Sequence, residues 1–250
     1  YTYIQQAKDK GYDVLLFDGQ FDVHFINHVE PKLDKVSFKR VDADIVEKLI
    51  EREDVMKSTF TEEQENDMRH IFLGQLPKEK NFGVIFEGLK ETDMPLTITQ
   101  SEFMRRMFDM SKFGSNPMGF YGEVPESYNL IVNTNHSLIK NLLEQKDKEV
   151  GDKVQVIRDE MKPFIKEKEE LDKSVEGKKD EEISTEHKDK VKDIQDKIDK
   201  KTEERKNILK EHGRSNPLVK QLIDIALLAN NMLKGEDLAK FVKRSVEIIQ

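Results

Sequence analysis

The sequence predicts an α+β fold, and three features of the chain support that prediction. Three short runs rich in β-branched and aromatic residues can form a small mixed sheet with helices around it. Residues 144–211 are dominated by Lys, Glu and Asp with sparse apolar positions, which is typical of a long antiparallel helical hairpin exposed to water. Residues 216–250 carry two apolar helical patterns, which predict a C-terminal helical hairpin that forms a four-helix dimer interface with a second copy.

The N-terminal part of the chain has the order helix, strand, helix. Residues 3–10 have a helical pattern, and Asp13–Phe17 (DVLLF) predicts a short buried strand. Phe21–Val29 has apolar residues at helical spacing, and residues 41–50 predict one more amphipathic helix. The acidic residues 51–54 form the predicted joint to the next part. This order is typical of the tail of an α/β unit, so we expect the chain to be a piece of a longer protein.

The central part of the chain supplies the predicted sheet. Glu62–Leu76 has a helical pattern with apolar residues along one side. The runs Phe82–Phe86 and Leu96–Thr99 are β-rich and separated by a turn sequence, which predicts two adjacent strands. Tyr128–Asn133 is a third β-rich run, so the sheet is predicted to have three strands.

Residues 99–113, between the second and third predicted strands, are rich in methionine and phenylalanine. On a helical wheel the large apolar side chains share one face, opposite the charged residues. Such a face is usually the inner side of a core helix. Methionine is flexible and polarisable, however, and is frequent on surfaces that bind many partners. The residues on this face are Phe103, Met104, Met107, Phe108 and Met110.

The charged residues 144–211 divide into two helical patterns. Residues 174–180, which include Gly177, lie between them and form the predicted hinge. Two antiparallel helices would bury their thin apolar stripes against each other and leave the charges in water. A solvent-exposed structural hairpin is the simpler interpretation, and a specific surface for a partner protein is the alternative.

The C-terminal residues predict a dimer. Asn216 before Pro217 is a helix N-cap with a first-turn proline, and a strongly apolar helix is predicted from Leu218 to Leu233, ending before Gly235. A second amphipathic helix follows. Because the two helices carry more apolar surface than they can cover for each other, we predict homodimerisation through them. The predicted dimerisation residues are Leu218, Leu222, Ile225, Ala229, Met232, Leu238, Phe241, Val242 and Ile249.

Composition excludes several classes of protein. The 250 residues contain no cysteine, which excludes a disulfide framework and thiolate chemistry. The absence of disulfides is typical of proteins in the reducing cytoplasm. The formal net charge of −8 argues against nucleic acid as a partner. No run is long and apolar enough for a membrane span. The predicted location is therefore the cytoplasm, with neither membrane nor nucleic acid as a partner.

No catalytic site can be identified in this sequence. Glycine-rich phosphate loops and nucleophile-elbow motifs do not occur, and the carboxylates lie on predicted exposed stripes. His24 and His28 are one helical turn apart, a spacing that can hold a metal, but the sequence offers no evident third ligand. We therefore predict neither an enzyme nor a metal site.

Four stretches resemble the 90-kDa heat-shock protein family of chaperones, in particular its bacterial HtpG branch. They occur in the same order as in that family and cover both ends and the centre of the chain. The matching strings are GYDVLLFDGQFDVHFINHV (11–29), FKRVDADIVEKL (38–49), YNLIVNTNHSLIKNL (128–142) and LIDIALLANNMLKGEDLAKFVKRSVEII (222–249).

The resemblance implies a division of labour along the chain. Residues 1–50 would finish the α/β middle domain, and residues 55–250 would form the C-terminal dimerisation domain. The implied function is that of the homodimerisation and client-contact part of an ATP-dependent stress-response chaperone, which binds unfolded proteins. ATP and Mg belong to domains outside this chain, so the fragment itself is implied to have no cofactor. The resemblance does not imply tetratricopeptide co-chaperones as partners, because those bind a tail of the eukaryotic family members.

The resemblance also changes the interpretation of the methionine-rich helix, which in the family is mobile and contacts unfolded clients. The implied client-contact residues are Met104, Met107, Phe108 and Met110, with His24 and Asn27. His24 departs from the tryptophan of the bacterial branch, and the charged residues 144–211 exceed the corresponding link in familiar bacterial members. The alternative function is a structural adaptor dimer whose charged hairpin docks a partner. A third possible function is that of a targeting factor that binds signal peptides beside RNA, but the basic helices of such a factor are missing from this sequence.

Overall fold

A computed structural model describes residues 2–9, 11–17, 19, 21–42, 57–100, 105, 126–177 and 183–249. Within these residues it contains seven α-helices, one short 3-10 helix and three strands, which confirms the predicted α+β class. The helices are α1 (Thr2–Asp9), α2 (Asp22–Val29), α3 (Glu62–Gln75), α4 (Ser137–Ser174), α5 (Thr185–Ser215), α6 (Pro217–Ala229) and α7 (Gly235–Ile249). The strands are β1 (Asn81–Glu87), β2 (Leu96–Thr99) and β3 (Ser127–Asn133).

The predicted buried strand near the N-terminus is wrong. Residues 12–17 have no regular secondary structure, and Leu15 and Leu16 are exposed, Leu16 to 79%. A short apolar run is compatible with a strand only if a neighbouring strand and a covering layer are present, and the run itself specifies neither. The helix after it forms as predicted, and the 3-10 turn Glu30–Lys32 follows it at Pro31. The predicted helix at 41–50 lies largely outside the described residues.

The sheet is small and mixed, as predicted, but its strand order differs from the prediction. The order is β1-β3-β2, so the first two strands are not adjacent, because β3 lies between them. β1 pairs parallel with β3, and β2 pairs antiparallel with it. Leu130 of the central strand is opposite both Val84 and Ile98, and all three are buried. The last four residues of the central strand, Leu130, Ile131, Val132 and Asn133, are each at most 2% exposed.

Buried polar side chains close one end of the sheet. The Asn133 side chain donates to the Lys90 carbonyl (2.8 Å) and accepts from the Leu89 backbone N–H (3.2 Å). The Thr134 hydroxyl donates to the Glu87 carbonyl (3.1 Å). Asn133 and Thr134 are fully buried, and these bonds satisfy groups that would otherwise be costly to bury. The loop that follows β1 is thereby tied to the end of β3.

The chain forms two compact units. One consists of Tyr1–Thr59, Leu76–Ile139 and Leu222–Gln250, and the other of Phe60–Gln75 and Lys140–Gln221. The first unit therefore holds the N-terminal residues, the sheet, α7 and most of α6. The second holds α3, α5, most of α4 and the first residues of α6. The predicted division at residues 50–55 stays a prediction.

In the second unit, α3 and α5 approach so closely that each contributes a glycine to the crossing. A Cβ at Gly213 would overlap the Ile71 carbonyl, and one at Gly74 would overlap the Lys210 carbonyl. The Gln75 amide donates to the Gly213 (3.0 Å) and Arg214 (2.8 Å) carbonyls. The sequence does not indicate this crossing, because a glycine inside a helical pattern indicates only a locally less stable helix.

Side chains also connect α4 with α5. Lys201 pairs with Glu160 (2.6 Å), the Lys197 ammonium lies 5.9 Å from the centre of the Phe164 ring, and Lys168 donates to Gln195 (2.6 Å). As the residue numbers of these side chains increase along α4 (160, 164, 168), the numbers of their partners on α5 decrease (201, 197, 195). Five apolar residues of these two helices are buried, namely Val154, Ile157, Met161, Ile194 and Leu209.

Candidate dimerisation and client-contact surfaces

The helix α6 begins with the predicted cap. The Asn216 side-chain oxygen accepts from the backbone N–H groups of Leu218 (2.9 Å) and Val219 (3.1 Å). Pro217 occupies the first helical position, where its missing N–H leaves no hydrogen bond unmade. The side-chain amide of Asn216 also donates to Gln145 (2.9 Å) on α4. The start of the predicted dimerisation helix is therefore defined by both local and tertiary bonds.

The end of α6 is earlier than predicted. The helix stops at Ala229, and Asn231 has a left-handed backbone with φ of 55°. The Met232 N–H bonds to the Leu227 carbonyl (2.8 Å), a pattern that satisfies the last carbonyls of a helix. Asparagine tolerates this conformation better than other non-glycine residues, which explains a stop before Gly235. Met232 and Leu233 therefore lie in the turn.

One side of α6 is buried within its own chain. Leu222 is only 5% exposed, so it packs inside the protomer and offers little surface to a second copy. Its predicted place in the dimer interface stays a prediction. The side chains of α6 that are buried in the same way are Val219, Ile223, Ala226 and Leu227.

A buried ion pair attaches α7 to α6. Arg244 Nη2 lies 2.5 Å from Asp224 Oδ2, and Asp224 is buried. The Arg244 guanidinium also lies 5.8 Å from the centre of the Phe241 ring. In the helical pattern of α7, Arg244 lies opposite the apolar residues, and this pattern does not indicate a contact with Asp224. The available signal was a single carboxylate among the apolar residues that follow Gln221, because a buried charge needs a partner.

Several apolar side chains of α6 and α7 are exposed to solvent. Val242 is 51% and Val246 is 50% exposed, and they are one turn apart on α7. Leu228 and Ala229 at the end of α6 are exposed as well. The other predicted dimerisation residues whose side chains are described are half-buried, namely Leu218, Ile225, Met232, Leu238 and Phe241. The Ile249 side chain lies outside the described residues.

The Tyr3 hydroxyl links α1 to the sheet and to the α6–α7 turn. It donates to the Ile98 carbonyl (2.9 Å) and lies 3.4 Å from the Asn230 side-chain oxygen. The Asn230 amide in turn donates to the Ala226 carbonyl (2.9 Å). Burial raises the pKa of Tyr3, so its phenol keeps the proton it donates. The N-terminal helix is thus bonded to the base of the candidate interface.

On α2, the predicted client-contact residue Asn27 lines a groove. Asn27 is half-buried and lines a cavity of about 800 Å³ together with Tyr3, Leu15, Phe17 and Phe38. His24 is exposed on the same helix. Phe17 contacts Phe25 and Phe38, with ring centres 6.3 and 6.5 Å apart. Leu15 and Leu16, which also line this cavity, are 68% and 79% exposed. Exposed apolar side chains therefore share the lining of the cavity with Asn27.

The other predicted client-contact residues, Met104, Met107, Phe108 and Met110, lie outside the described residues. Their neighbour Arg105 is helical, half-buried and 3.3 Å from Asp42. Burial disfavours the charged form of Asp42, but its hydrogen bond and charge interaction with Arg40, together with Arg105, outweigh this and lower its pKa. Asp42 therefore remains an anion beside the groove.

Within the described residues, no group of three or more His, Asp or Glu side chains is arranged to hold a metal ion. His28 instead lies 2.5 Å from the Lys32 ammonium. Among the same residues, no helix combines the length and the apolar character that a membrane crossing requires.

Comparison with known proteins finds relatives along the whole chain. The protein named "Chaperone protein htpG" of Bacteroides fragilis (strain 638R) is 43% identical over 251 residues, which cover 100% of this chain and 37% of that protein. "Chaperone protein HtpG" of Bacteroides thetaiotaomicron is 41% identical over 251 residues with the same coverage. The protein of that name from Porphyromonas gingivalis (strain ATCC 33277) is 38% identical over 252 residues, 36% of its length. No family model matches the chain.

The match includes the charged residues 144–211, because it extends over all of this chain. The chain spans 36–37% of the length of these relatives, so most of each relative lies outside the comparison. Over its whole length, the chain is a homologue of the bacterial HtpG chaperones, the branch of the 90-kDa heat-shock protein family that its sequence resembles.

Proposed function

We propose that this chain is the homodimerisation and client-contact part of a cytoplasmic, ATP-dependent HtpG-type chaperone that binds unfolded proteins. The observation that carries the proposal is the 38–43% identity to proteins named chaperones over the entire chain. ATP and Mg would act in the parts of the protein that this chain does not match. Residues 1–50 would finish the middle domain, and residues 55–250 would form the dimerisation domain. No catalytic step is assigned to this chain.

The proposed dimer pairs α6 and α7 with the same helices of a second copy, giving four helices around the two-fold axis. Support comes from Val242 and Val246, which are one turn apart and half exposed. Leu228, at the end of α6, is exposed as well. Covering such side chains stabilises an assembly by roughly 1.5–3 kcal/mol for each one fully buried. Because the two protomers are related by a two-fold axis, each interface residue is buried once in each protomer and so contributes twice.

The dimer is tested by changing Val242→Asp and Val246→Asp together. These side chains are exposed in the protomer, so folding should persist, whereas burying two carboxylates per copy at the interface is strongly unfavourable. We expect sedimentation equilibrium to give a dimer for the unchanged chain and a monomer for the double variant. Val156→Asp is the matched control, because Val156 is 57% exposed on α4. A monomeric unchanged chain, or a dimeric double variant, would contradict the proposal.

The proposed client surface combines the methionine-rich face with the groove beside α2. Unbranched methionine side chains adapt to differently shaped apolar segments, which suits binding of many unfolded chains. Support from the described residues is the exposure of Leu15 and Leu16, which line the groove together with Asn27. His24 is exposed on the same helix. Exposed apolar groups of this kind commonly mark sites that bind proteins.

The client surface is tested by the triple change Met104→Ser, Met107→Ser and Phe108→Ser. Removing apolar contact area should weaken the suppression of aggregation of a denatured test protein, with little change in the urea midpoint of the chaperone fragment. Met94→Ser is the control, because Met94 is an exposed methionine elsewhere in the same unit. If the triple variant instead lost several kcal/mol of stability, these residues would belong to the core.

The charged residues 144–211 are proposed to form an antiparallel hairpin exposed to solvent. The contacts Glu160–Lys201, Phe164–Lys197 and Lys168–Gln195 support this arrangement, because their order along α5 is the reverse of that along α4. In the pairs Asp159–Lys162, Glu186–Lys190 and Asp193–Lys197 both partners are exposed, and exposed pairs contribute little stability.

A further inference from the structure

We infer that the buried ion pair between Asp224 on α6 and Arg244 on α7 sets the rotation of α7 about its own axis. The pair thereby determines which side chains of α7 face a second copy of the chain. The inference rests on the proposed dimer and assigns Asp224 and Arg244 as positioning residues, because they act on the interface through Val242 and Val246. All four residues belong to one compact unit.

Only part of the apolar face of α7 is covered within the protomer. Leu238 and Phe241 are half-buried, whereas Val242 and Val246 are half exposed. On a helical wheel these side chains form one continuous face that spans about 140° from Phe241 to Val246. Burial of apolar area has no direction, so it does not by itself determine which part of such a face meets α6.

The ion pair supplies the missing direction. Arg244 Nη2 lies 2.5 Å from Asp224 Oδ2, and the two side chains are only 20% and 9% exposed. The guanidinium also lies 5.8 Å from the centre of the Phe241 ring, about 60° away on the helix. Val242 and Val246 are each about 160° around the helix from Arg244. When Arg244 is bound to α6, both valines therefore face away from α6, as their exposure shows.

Other rotations of α7 would separate the two charges. Asp224 is buried, as are Ile223 and Leu227 on the same helix, so its carboxylate needs a cation at this place. A turn of α7 by one residue, about 100°, would withdraw Arg244 from the carboxylate. Buried ion pairs add little net stability, and specifying one arrangement of helices is the role with most support.

The rotation matters for the surface that a second copy meets. Ala239, Val242 and Val246 are exposed and lie within about 60° of one another on the helix, so they form a narrow apolar stripe. A turn of α7 that buried this stripe against α6 would present the charged residues Lys243 and Glu247 in its place. The pair therefore keeps the apolar stripe available to the partner.

The first test replaces the pair by apolar side chains, Asp224→Leu together with Arg244→Met. Such a replacement of a buried pair is commonly neutral or stabilising, so folding should persist. We expect the urea midpoint of the dilute, separate protomers to stay the same or rise. The dissociation constant of the dimer, from sedimentation equilibrium, should rise by about tenfold, because the apolar stripe is no longer held outward.

The control removes an exposed ion pair from the same helix. Glu236 and Lys240 lie 2.8 Å apart on α7, and both side chains are exposed. Glu236→Gln together with Lys240→Gln should leave both the urea midpoint and the dissociation constant unchanged.

A second measurement reports the rotation of α7 without a dimer. The sequence has no cysteine, so Val246→Cys introduces a single thiol whose alkylation rate in dilute solution reports its exposure. The rate should fall severalfold when Asp224→Leu and Arg244→Met are added, because α7 then adopts rotations that bury this position. Val156→Cys on α4 is the control and should react equally fast with and without the pair.

The outcomes separate this inference from the proposed dimer. If the alkylation rate or the dissociation constant is the same with and without the pair, the inference is overturned and the dimer stands. If the unchanged chain is monomeric, the proposed dimer fails, and the alkylation rates still decide whether Asp224 and Arg244 set the rotation of α7.

Discussion

At the scale of single residues, buried charges connect the helices of the second unit. Asp67 is fully buried on α3 and accepts from Arg158 and from Lys146, whose side chain is 5% exposed. Such a cluster contributes modest net stability when complete, but a loss of one member leaves a buried charge without compensation. The sequence shows Asp67 only as one acidic residue among several at the start of α3, so its depth was not predictable.

His70 makes stability depend on pH in a defined direction. Its pKa is about 4 in the folded chain and about 6.5 when unfolded, so the unfolded state binds a proton first as the pH falls. The resulting stability is complete above pH 6.5 and is lost between pH 6.5 and 4. From pH 7 to pH 5 we expect the free energy of unfolding of the unchanged chain to fall by on the order of 1 kcal/mol more than that of His70→Gln. This difference is smaller than the full pKa shift would give, because solvent screens the half-buried imidazole.

Urea unfolding of both proteins at each pH measures this difference. Other titrating groups, including His212 with its pKa lowered by burial, are present in both proteins and cancel. Equal losses in the two proteins would show that His70 is not responsible.

At the scale of elements, the crossing of α3 and α5 depends on glycine. Gly213→Ala should destabilise the chain by about 3 kcal/mol, because its Cβ would overlap the Ile71 carbonyl and two helix backbones would have to separate. Gly151→Ala is the control, since its Cβ would meet Asp147 at an ordinary 3.8 Å. Removing a flexible glycine from a helix there should stabilise the chain by about 0.5–1 kcal/mol.

Chemical denaturation of the two alanine variants gives both values on the same scale. A Gly213→Ala protein as stable as the unchanged chain would mean that the helices do not approach as closely as described. Opposite signs for the two substitutions would separate the close contact from the general effect of glycine in a helix.

At the scale of the whole molecule, the proposed dimer would connect two chaperone arms at a common base. Such a connection raises the effective concentration of one arm for the other, which lets a structural interface support an ATP cycle in domains outside this chain. The adaptor alternative instead assigns the main role to the charged residues 144–211.

Shortening the charged segment separates these two functions. Replacing residues 166–193 by a short Gly/Ser link keeps the Glu160–Lys201 pair and the buried residues Val154 and Leu209. If the removed part is only a solvated extension, the dimer and the suppression of aggregation should both be retained, as sedimentation and light scattering would show. Loss of aggregation suppression from a folded, dimeric protein would favour the adaptor function.

The sequence by itself determined the helices, the mixed three-stranded sheet and the cap at Asn216, because these follow from periodicity and from side chains that bond to neighbouring backbone. Tertiary structure decided the central position of β3, the exposure of Leu16, the burial of Leu222 within its own protomer and the contact at Gly213. These features depend on which distant residues become neighbours. A local pattern specifies that a side chain is apolar or small, but not which surface it meets.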